Sequence, residues 1–499
     1  MTSLSVLVPC YNEQYLVGSS LARLRVLEQS PHLDHIEVIV VDDCSRDGTA
    51  DALVRFRAEE DARPGRKIEW KYLKHETNQG KGTAVRTALA QATCEITVIH
   101  DADLEYHPED LLRIVEVFVN EKADAVFGSR FAGGNARRVL FYQHQLGNEL
   151  LTFLSNAVTN LNLTDMETCY KAVRTRLFKS IPLVSNDFRI EPELTIKLAK
   201  RKVRIFEVPI SYSGRTYQEG KKINWRDGFK ALAAITSFAL SDHVYVDDEH
   251  GSQILARLSR AHTFNRWMAD TIRPYVGERV LEIGAGIGNL TQALIPRHQY
   301  VASDINPLYL DTLEGLRQGR PYLRVTYTDV TDAATFPSIK EGFDTVVCLN
   351  VVEHVKDDKA ALENIRRCLS ADGRAIILVP QGDWNFGTLD TALGHERRYS
   401  PESLRAAGEA AGLELEKIVE FNRMGTPAWY LNGKLLGREH FGLGQVLALN
   451  AITPMVRKFD QALPFPSLSL IAIFRPRAGA VTGAHRPSDD EGDKGGARA

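Results

Sequence analysis

Short apolar runs alternate with amphipathic stretches over roughly the first 130 residues of the chain. Runs rich in Val and Ile predict five β-strands, at residues 4–8, 38–41, 70–73, 96–99 and 125–127. Apolar residues at helical spacing predict four helices between them, at residues 17–28, 49–59, 82–91 and 108–120. This alternation predicts a parallel sheet, in which ligands bind at the carboxyl ends of the strands.

A second alternation of the same kind begins after a polar stretch. Its five predicted strands lie at residues 280–283, 300–303, 325–328, 345–349 and 375–379. Helices are predicted between them, for example at residues 290–295 and 358–368. We interpret residues 241–262 as a linker and the Gly/Ala/Asp-rich residues 478–499 as a disordered tail. The chain is therefore expected to be of the α/β class, with two doubly wound domains at residues 1–240 and 263–477.

The composition indicates which kinds of binding partner and which cellular compartment to expect for this protein. A formal net charge of -3 over 499 residues gives no polyanion-binding pattern, so nucleic acid is not expected as a partner. The six cysteines lack the paired spacings of a zinc site or a disulfide framework, which is typical of free thiols in a reducing cytosol. The chain starts without a secretory signal pattern, and the apolar residues 229–240 fall short of the ~20 residues that span a bilayer. We expect a cytoplasmic protein, either in solution or peripheral at the inner face of the membrane.

Acidic residues stand directly after two predicted strands of the first half. Asp42 and Asp43 follow the second strand, and Asp101 and Asp103 follow the fourth. Two carboxylates separated by one residue can hold one hard cation and leave its other positions to diphosphate oxygens. An isolated Asp-x-Asp is more often a solvated turn, but the further polar residues after the first and second strands favour a metal-nucleotide site.

The first half resembles the family 2 glycosyltransferases of the GT-A fold, and among them the polyprenyl-phosphate sugar transferases that are similar to dolichol-phosphate mannose synthase. The resemblance covers roughly residues 4–235. It is carried by Val-Pro-Cys-Tyr-Asn-Glu (8–13), Asp-Asp-Cys-Ser-Arg-Asp-Gly-Thr (42–49), Asn-Gln-Gly-Lys-Gly (78–82), Asp-Ala-Asp (101–103), Gly-Ser-Arg (128–130), Asp-Met-Glu-Thr-Cys-Tyr-Lys (165–171) and Glu-Gly-Lys-Lys (219–222). It implies a nucleotide-sugar donor and a metal ion, Mg²⁺ or Mn²⁺. The implied roles are nucleoside contacts for Pro9, Tyr11, Glu13 and Asp42, binding of the metal ion for Asp101 and Asp103, and a position beside the diphosphate for Arg130. Lys81, between two glycines, is a further candidate ligand of the nucleotide, with a surface lysine as the alternative.

The acceptor is either a lipid phosphate or a hydroxyl group. A phosphate is already an anion and needs cationic positioning, whereas a hydroxyl needs a general base. The basic residues that match the polyprenyl-phosphate enzymes are Arg215, Lys221 and Lys222. They favour a polyprenyl phosphate acceptor. For a hydroxyl acceptor the candidate bases are Glu191 and Glu193, whose alternative role is structural ion pairing. The apolar stripe of residues 225–240 either contacts a bilayer surface or packs in a core.

A glycine-rich loop follows the first predicted strand of the second half. It reads Leu-Glu-Ile-Gly-Ala-Gly-Ile-Gly at residues 281–288, so its backbone N–H groups can approach a ligand closely. The spacing departs from the dinucleotide fingerprint because Asn289 stands at the last glycine position. Asp304 ends the next strand, where an acidic residue is suited to bind ribose hydroxyls.

This half resembles the class I S-adenosylmethionine-dependent methyltransferases over about residues 262–420. Besides the glycine loop, the matching segments are Asp304, Thr-Asp-Val (328–330), Asn-Val-Val-Glu-His (350–354) and Leu-Ser-Ala-Asp-Gly-Arg (369–374). The resemblance implies the following roles: the methionine pocket for Gly284, Gly286 and Gly288, the ribose for Asp304, the adenine for Asp329 and the cofactor ammonium for Glu282, directly or through water. A structural cap is the alternative role of Glu282. His354 is the candidate base for an un-ionised acceptor, with a structural role as the alternative.

The sequence thus predicts a bifunctional enzyme. The first domain transfers a sugar, with a polyprenyl phosphate as the favoured acceptor, and the second methylates a related glycan or lipid intermediate. Two alternatives stay open: transfer to a glycan hydroxyl with a fused O-methyltransferase, and a fusion in which one nucleotide pocket only binds. Residues 394–399, Gly-His-Glu-Arg-Arg-Tyr, are either a binding loop for an anionic acceptor or a salt-bridged surface loop.

Overall fold

The computed structural model divides the chain into two compact units, Met1–Asp247 and Asp248–Ala499. It describes residues 1–121, 123–133, 142–214, 225–241, 243–244, 261–317, 319–438 and 443–477. The expected tail, most of the expected linker and the basic residues Arg215, Lys221 and Lys222 therefore lie outside the described residues. Among the residues within those ranges, none of the helices combines the length and apolarity that crossing a bilayer requires.

The described part of the first unit is built on one mixed sheet. Its strands are β1 Thr2–Cys10, β2 Leu33–Asp42, β3 Ile68–Lys74, β4 Ile96–Ile99, β5 Ala125–Ser129, β6 Lys171–Arg174 and β7 Ile205–Pro209. Its α-helices are α1 Val17–Arg23, α2 Thr49–Ala62, α3 Lys81–Gln91, α4 Glu109–Asn120, α5 Tyr142–Thr159, α6 Thr175–Lys179, α7 Ile190–Lys200 and α8 Trp225–Leu240. The strand order is β3-β2-β1-β4-β6-β5-β7, and β6 runs antiparallel to β4 and β5 while the other neighbours are parallel. All five strands predicted in this half are confirmed, and β6 and β7 are additional.

Parallel pairing brings the ends of β1, β2 and β4 to one edge of this sheet. Cys10, the last residue of β1, pairs with Asp42, the last residue of β2. The chain continues the ladder beyond both strands, because the backbone N–H of Asp43 donates to the Cys10 carbonyl (2.8 Å) and that of His100 donates to the Leu7 carbonyl (2.9 Å). The segments that follow the three strands therefore emerge side by side, which gathers the acidic residues singled out above.

The described part of the second unit contains another sheet of the same general kind. Its strands are β8 Arg279–Ile283, β9 Gln299–Asp304, β10 Leu323–Tyr327, β11 Phe343–Leu349, β12 Leu369–Pro380, β13 Leu413–Phe421 and β14 Ser469–Pro476. Its α-helices are α9 His262–Ile272, α10 Thr291–Leu294, α11 Pro307–Arg317, α12 Asp358–Cys368, α13 Thr388–Leu393, α14 Pro401–Ala410, α15 Gly425–Trp429 and α16 Leu443–Phe459. The order β10-β9-β8-β11-β12-β14-β13 begins like a Rossmann sheet and ends with β14 antiparallel to both of its neighbours.

Both faces of the second sheet are covered. Alternate residues of each central strand belong to different apolar clusters: Val346 and Cys348 of β11 pack in one, and Val347 and Leu349 pack in the other. Side chains of a strand alternate between the faces of a sheet, so each cluster fills one face. Helices α12 and α14 contribute to the first cluster, and α9, α11 and α16 to the second. The expected α/β class with two doubly wound sheets is confirmed.

Replacing Gly408 by alanine should destabilise the second unit. In an exposed helix alanine is favoured over glycine by ~1 kcal/mol. In α14, however, a Cβ at Gly408 would lie 2.3 Å from Cε1 and 2.7 Å from Cζ of the buried Phe474 ring of β14. We expect a loss of roughly 1–3 kcal/mol in the free energy of unfolding, measured by denaturant titration.

Gly444→Ala, in α16 of the same unit, is the matched control, because no atom lies within 4 Å of its added Cβ. This control should unfold at or above the wild-type midpoint. An equal or raised midpoint for Gly408→Ala would contradict the packing of α14 on β14.

Candidate active sites

The loops after β1 and β2 are joined by hydrogen bonds from one to the other. The backbone N–H of Asn12 donates to Ser45 Oγ (2.9 Å), that of Arg46 donates to Asn12 Oδ1 (2.8 Å), and that of Glu13 donates to Thr49 Oγ1 (2.8 Å). Asn12 has φ 53°, in the left-handed region. The proposed nucleoside ligands Pro9, Tyr11 and Glu13 are half-buried on this joined surface.

Asp42 and Asp43, at the end of β2, are both buried but are used differently. Asp43 is fully engaged: Oδ1 accepts from Gln79 N–H (2.9 Å) and lies 2.7 Å from His75 Nδ1, and Oδ2 accepts from Gly80 N–H (2.7 Å). Asp42 Oδ1 accepts from Ser45 N–H (2.9 Å), but its Oδ2 is buried without a hydrogen-bond partner among the described residues. Asp43 thus holds the 78–82 loop in place, and Asp42 keeps one acceptor available.

The two glycines around Lys81 allow a close approach between backbones. A Cβ on Gly80, which has φ 91°, would lie 2.3 Å from the Asn186 carbonyl oxygen, and one on Gly82 would lie 2.2 Å from that of Ser185. Glycine is therefore required at both positions for steric reasons. The contact fixes the start of α3, which carries the side chain of Lys81 toward the end of β4.

Lys81 lies between two carboxylates. Its Nζ is 2.9 Å from Asp101 Oδ1 and 3.1 Å from Glu191 Oε1, and Glu191 Oε2 is 2.8 Å from Nζ of the fully buried Lys171. Burial opposes the charge of Lys81, but the Asp101 and Glu191 carboxylates outweigh it and raise the pKa of Lys81 well above its usual value. Burial likewise opposes ionisation of Asp101, but Lys81 holds the pKa of that carboxyl below its usual value. The result is a row of alternating charges that keeps Asp101 ionised.

The candidate metal ligands follow the buried His100. Its Nδ1 lies 3.0 Å from Tyr170 Oη and its Nε2 lies 3.3 Å from Ser20 Oγ, and burial lowers the pKa of His100 to about 4. The imidazole of His100 is therefore neutral and has a polar contact at each of its two nitrogens. These contacts anchor the segment that carries Asp101 and Asp103. The Asp101 side chain is 25% exposed, and Asp103 Oδ1 accepts from the backbone N–H of Glu105 (3.1 Å). Mg²⁺ and Mn²⁺ suit carboxylate oxygens, with phosphates as further ligands, so the donor set fits such an ion.

Three predicted residues of this unit are held in buried ion pairs. Arg130 forms a bidentate pair with the fully buried Asp165, with Nε 2.6 Å from Oδ2 and Nη2 2.7 Å from Oδ1. Glu193 accepts from the N–H groups of Val184 and Ser185 (2.8 Å each) and from Lys197 Nζ (2.7 Å). Glu191 bridges the two lysines described above. These contacts orient Arg130 and leave the two glutamates engaged inside the unit.

Sequence reasoning gave Glu167 no role, although it lies inside a motif that carried the family resemblance. Burial raises the pKa of Glu167 to about 7, and its Oε1 is buried without a hydrogen-bond partner in the described part of the chain. Nearby Lys171 lowers that pKa and Glu191 raises it. Its position beside the row of charges depends on the tertiary fold, so spacing along the chain gave no indication of it.

The glycine loop of the second unit turns sharply after β8. Gly284, Gly286 and Gly288 have φ values of 73°, 55° and 81°, a region that glycine adopts without strain. A Cβ on Gly284 would lie 2.3 Å from Val351 Cγ2. The backbone N–H of Gly286 donates to Asp304 Oδ2 (2.8 Å), which ties the loop to the end of β9. The four predicted residues therefore come together at the carboxyl ends of adjacent strands.

Glu282 and Asp329 flank this loop. Glu282 Oε2 accepts from the hydroxyls of Thr291 (2.5 Å) and Tyr300 (2.9 Å). Burial raises the pKa of Glu282 to about 7, although these two hydroxyls lower it and Asp304 adds a smaller increase. Asp329 follows β10, where its Oδ1 accepts from the N–H (2.8 Å) and the hydroxyl (2.7 Å) of Thr331. Glu282, Asp304 and Asp329 lie at or just after the ends of three neighbouring strands, where such a sheet binds a nucleotide.

A second polar cluster lies after β11. Glu353 is fully buried, and the ring centroids of His354 and His395 are 4.9 Å apart. In the loop of residues 394–399, Arg398 Nε pairs with the buried Asp390 Oδ1 (2.8 Å). In this part of the loop, Arg398 is therefore engaged in a buried ion pair with Asp390 and does not form an exposed anion-binding surface.

Both halves of the chain match known families. Residues 5–181 match the model of glycosyl transferase family 2, and residues 281–375 match that of a methyltransferase domain. The first half is 31% identical over 248 residues to the undecaprenyl-phosphate mannosyltransferase of Micrococcus luteus, covering 47% of this chain and 93% of that protein. It is 26% identical over 235 residues to the UDP-N-acetylglucosamine–dolichyl-phosphate N-acetylglucosaminyltransferase of Methanococcus voltae, covering 45% of this chain and 91% of the relative.

A solved glucosyl-3-phosphoglycerate synthase of Mycobacterium tuberculosis, in complex with Mn²⁺, UDP and phosphoglyceric acid, gives a TM-score of 0.37 at 18% identity over 50% of this chain and 81% of that one.

The two family models and the relatives of the first half confirm both resemblances inferred from the motifs. They also confirm the enzyme class, a glycosyltransferase and a methyltransferase in one polypeptide. The relatives of the first half include transferases of polyprenyl phosphates. The chain belongs to glycosyl transferase family 2 through residues 5–181, and its second half carries a methyltransferase domain at residues 281–375.

Proposed function

We propose that the first unit transfers a sugar from a nucleotide-sugar donor to a polyprenyl phosphate, and that the second unit methylates a related glycan or lipid intermediate with S-adenosylmethionine. The main support for sugar transfer is the Asp101 carboxylate, which is partly exposed at the end of β4 and is kept ionised by Lys81. The names of two relatives, which specify undecaprenyl and dolichyl phosphate acceptors, support the choice of acceptor.

The residues at the ends of β1, β2 and β4 have different proposed roles in binding the nucleotide-sugar donor. Asp101 and Asp103 would hold Mg²⁺ or Mn²⁺, which when bound supplies the charge that neutralises the departing diphosphate. Asp42 Oδ2, on the neighbouring strand, has no hydrogen-bond partner within the described ranges and offers an acceptor for a nucleoside donor group. Pro9, Tyr11 and Glu13 complete the nucleoside contact in this proposal.

The bond changes of the transfer need no base when the acceptor is a phosphate. An acceptor phosphate oxygen bonds to the sugar C1 while the bond from C1 to the diphosphate oxygen breaks. The attacking oxygen is already an anion and the diphosphate leaves as an anion, so no proton has to be removed. The engagement of Glu191 and Glu193 in buried ion pairs supports this acceptor over a hydroxyl, which would need one of them as a free base. Arg215, Lys221 and Lys222 are proposed to hold the acceptor phosphate.

An exposed apolar surface on α5 and α8 supports a lipid acceptor. Its members are Tyr142, Leu146, Leu150 and Phe153 of α5 and Phe229, Leu232 and Leu240 of α8. The two helices pack on each other and on α7, and Ile235 of α8 is buried beneath them in a small cluster with Met166 and Ile196. Apolar side chains thus lie on the outer as well as the inner side of this pair, which is typical of a segment that contacts a bilayer surface. We propose peripheral attachment to the membrane through this outer apolar surface.

Asparagine substitutions at the strand end test the transfer reaction. Asp101→Asn and Asp103→Asn should each lower kcat by roughly 10²–10³, because each removes an anionic ligand of the metal ion that neutralises the departing diphosphate. The measurement is product mass after incubation with a panel of nucleotide sugars, Mn²⁺ and polyprenyl phosphate, with a glycan hydroxyl acceptor in parallel. Asp51→Asn, at an exposed position of α2, is the control and should keep full activity. Unchanged turnover and cation dependence in both variants would refute the metal-nucleotide site.

Vesicle binding tests the outer apolar surface. The double substitution Leu150→Asp with Phe153→Asp removes two side chains that are 56% and 66% exposed. Each contributes ~1.5 kcal/mol or more when buried, so sedimentation with phosphatidylglycerol vesicles should weaken by at least about tenfold. Val54→Asp, an equally exposed apolar position on α2, should bind vesicles like the wild type. Equal loss in both proteins would show that the α5 surface has no special role.

The proposal for the second unit places S-adenosylmethionine over the glycine loop. Asp304 holds Gly286 N–H and lies where the ribose would bind, with Asp329 on the adenine side. Glu282 would meet the cofactor ammonium. Its folded-state pKa of about 7 exceeds the ordinary value of 4.5, so the stability that it contributes below pH 4.5 is lost as pH rises through about 7. A bound ammonium offsets that loss by stabilising the ionised carboxylate.

Cofactor binding should therefore release a proton near the pKa of Glu282. Calorimetry in two buffers with different ionisation enthalpies should detect the release close to pH 7, the value about which Glu282 titrates. The affinity should rise as pH increases through the same range. Glu282→Gln keeps an acceptor for Thr291 and Tyr300, and it should bind without proton release. A release that persists in this variant, or none in the wild type, would favour the structural-cap alternative.

A further inference from the structure

Three side chains of the second unit converge outside the residues proposed to bind the cofactor. They are Glu353, directly after β11, His354 beside it, and His395 in the loop after α13. One ligand atom from each lies within 4.8 Å of those of the other two. Two atoms about 2.1 Å from one ion lie up to about 4.2 Å apart. Ligand atoms within 4.8 Å of one another therefore need to close by about 0.6 Å at most to hold a single ion.

Glu353 is the most unusual member of the cluster. Its side chain is 0% exposed, and both carboxylate oxygens are buried without a hydrogen-bond partner in the part of the chain that the structure describes. Buried polar groups are normally paired, because an unpaired one loses its hydration without compensation. A cation at these oxygens would satisfy both of them.

The two histidines are each oriented by a second partner. His354 Nδ1 lies 3.2 Å from the Gly394 carbonyl oxygen, and His395 Nδ1 lies 2.8 Å from Asp390 Oδ1. The Gly394 carbonyl can only accept, so the His354 ring donates to it from Nδ1, and the Asp390 carboxylate, which also accepts from Arg398, orients the His395 ring. Metal-binding histidines show this arrangement, in which the non-ligating nitrogen faces a carboxylate or carbonyl.

Asp390 holds the His395 ring rigidly. This carboxylate is fully buried and also accepts from Arg398 Nε (2.8 Å), Trp429 Nε1 (3.1 Å) and the Gly387 N–H (3.0 Å). Four donors from three separate segments thus fix its position. His354, in contrast, is exposed. The cluster is accordingly rigid on its inner side and open to solvent on the His354 side.

We propose that Glu353, His354 and His395 form a binding site for a divalent transition-metal ion of the Zn²⁺ type. Two imidazole nitrogens and one carboxylate suit borderline ions such as Zn²⁺, whereas Mg²⁺ and Ca²⁺ prefer all-oxygen sites. Three protein ligands leave a coordination position open, which faces the exposed His354 side. An anionic oxygen of the methyl acceptor can occupy it, and this last assignment rests on the proposed methyl transfer. His354 is then a metal ligand and not a general base.

Metal titration of the full-length protein tests the site. After treatment with a chelator, the protein should bind Zn²⁺ at this cluster in calorimetry, and Co²⁺ should produce d–d absorption bands of a nitrogen/oxygen site. His354→Gln and His395→Gln should each weaken Zn²⁺ binding by more than the about 10- to 100-fold that follows loss of an outer partner. Glu353→Gln should do the same, and if this variant fails to fold, the two histidine variants decide.

Two control variants locate the ion. His298→Gln, at an exposed histidine of the same unit, and Asp51→Asn, at an exposed carboxylate of the first unit, should bind Zn²⁺ like the wild type. No binding to the wild type would overturn the proposal, and so would binding that survives both cluster histidine substitutions or is lost in His298→Gln. S-adenosylmethionine affinity, measured on the same variants, should stay within about threefold of the wild type. Intact Zn²⁺ binding without methyl transfer would count against the proposed methylation and not against the metal site.

Discussion

The alternation of buried charges around Lys81 is the constraint on which the candidate active site of the first unit depends. A buried ion is costly unless an opposite charge and hydrogen bonds accompany it. Lys81 meets this condition between Asp101 and Glu191, and Glu191 in turn balances the fully buried Lys171. As a result, Asp101 is ionised at the edge of the sheet, while the charges that balance it, on Lys81, Glu191 and Lys171, lie in the interior of the unit. The site thus depends on helices α3 and α7 as much as on the strand that carries it.

Both units use one acidic side chain to position a glycine-containing loop. Asp43 accepts from the backbone N–H groups of Gln79 and Gly80, and Asp304 accepts from that of Gly286. In each unit this carboxylate stands at or just after the end of a strand, where the parallel sheet opens. The common solution has a simple physical basis. Loop N–H groups need acceptors when they are removed from water, and a carboxylate can satisfy several of them at once.

Much of the fold follows from local patterns. The strands β1 to β5 and β8 to β12 are apolar runs separated by helical periodicity, so the sequence predicts all of them. The exceptions are β6, β7, β13 and β14, which complete the sheets through pairings with distant segments, antiparallel for β6, β13 and β14. β6 has four residues and includes the buried Lys171, which interrupts any apolar pattern. β13 carries a register shift between Leu415 and Lys417 that disturbs its alternation. Their place in the sheet is set by their partners.

The sequence by itself determined which residue types stand at the candidate sites: the two aspartates after β4, the glycines after β8, and their order along the chain. These features depend only on residue type and short spacing. Only the tertiary structure decided which charges meet. It pairs Arg130 with Asp165, encloses Glu193 among Val184, Ser185 and Lys197, and brings His395 to His354. Coulombic and hydrogen-bond energies fall off within a few ångströms. Residues far apart in the chain therefore acquire their roles when the fold brings them within that range.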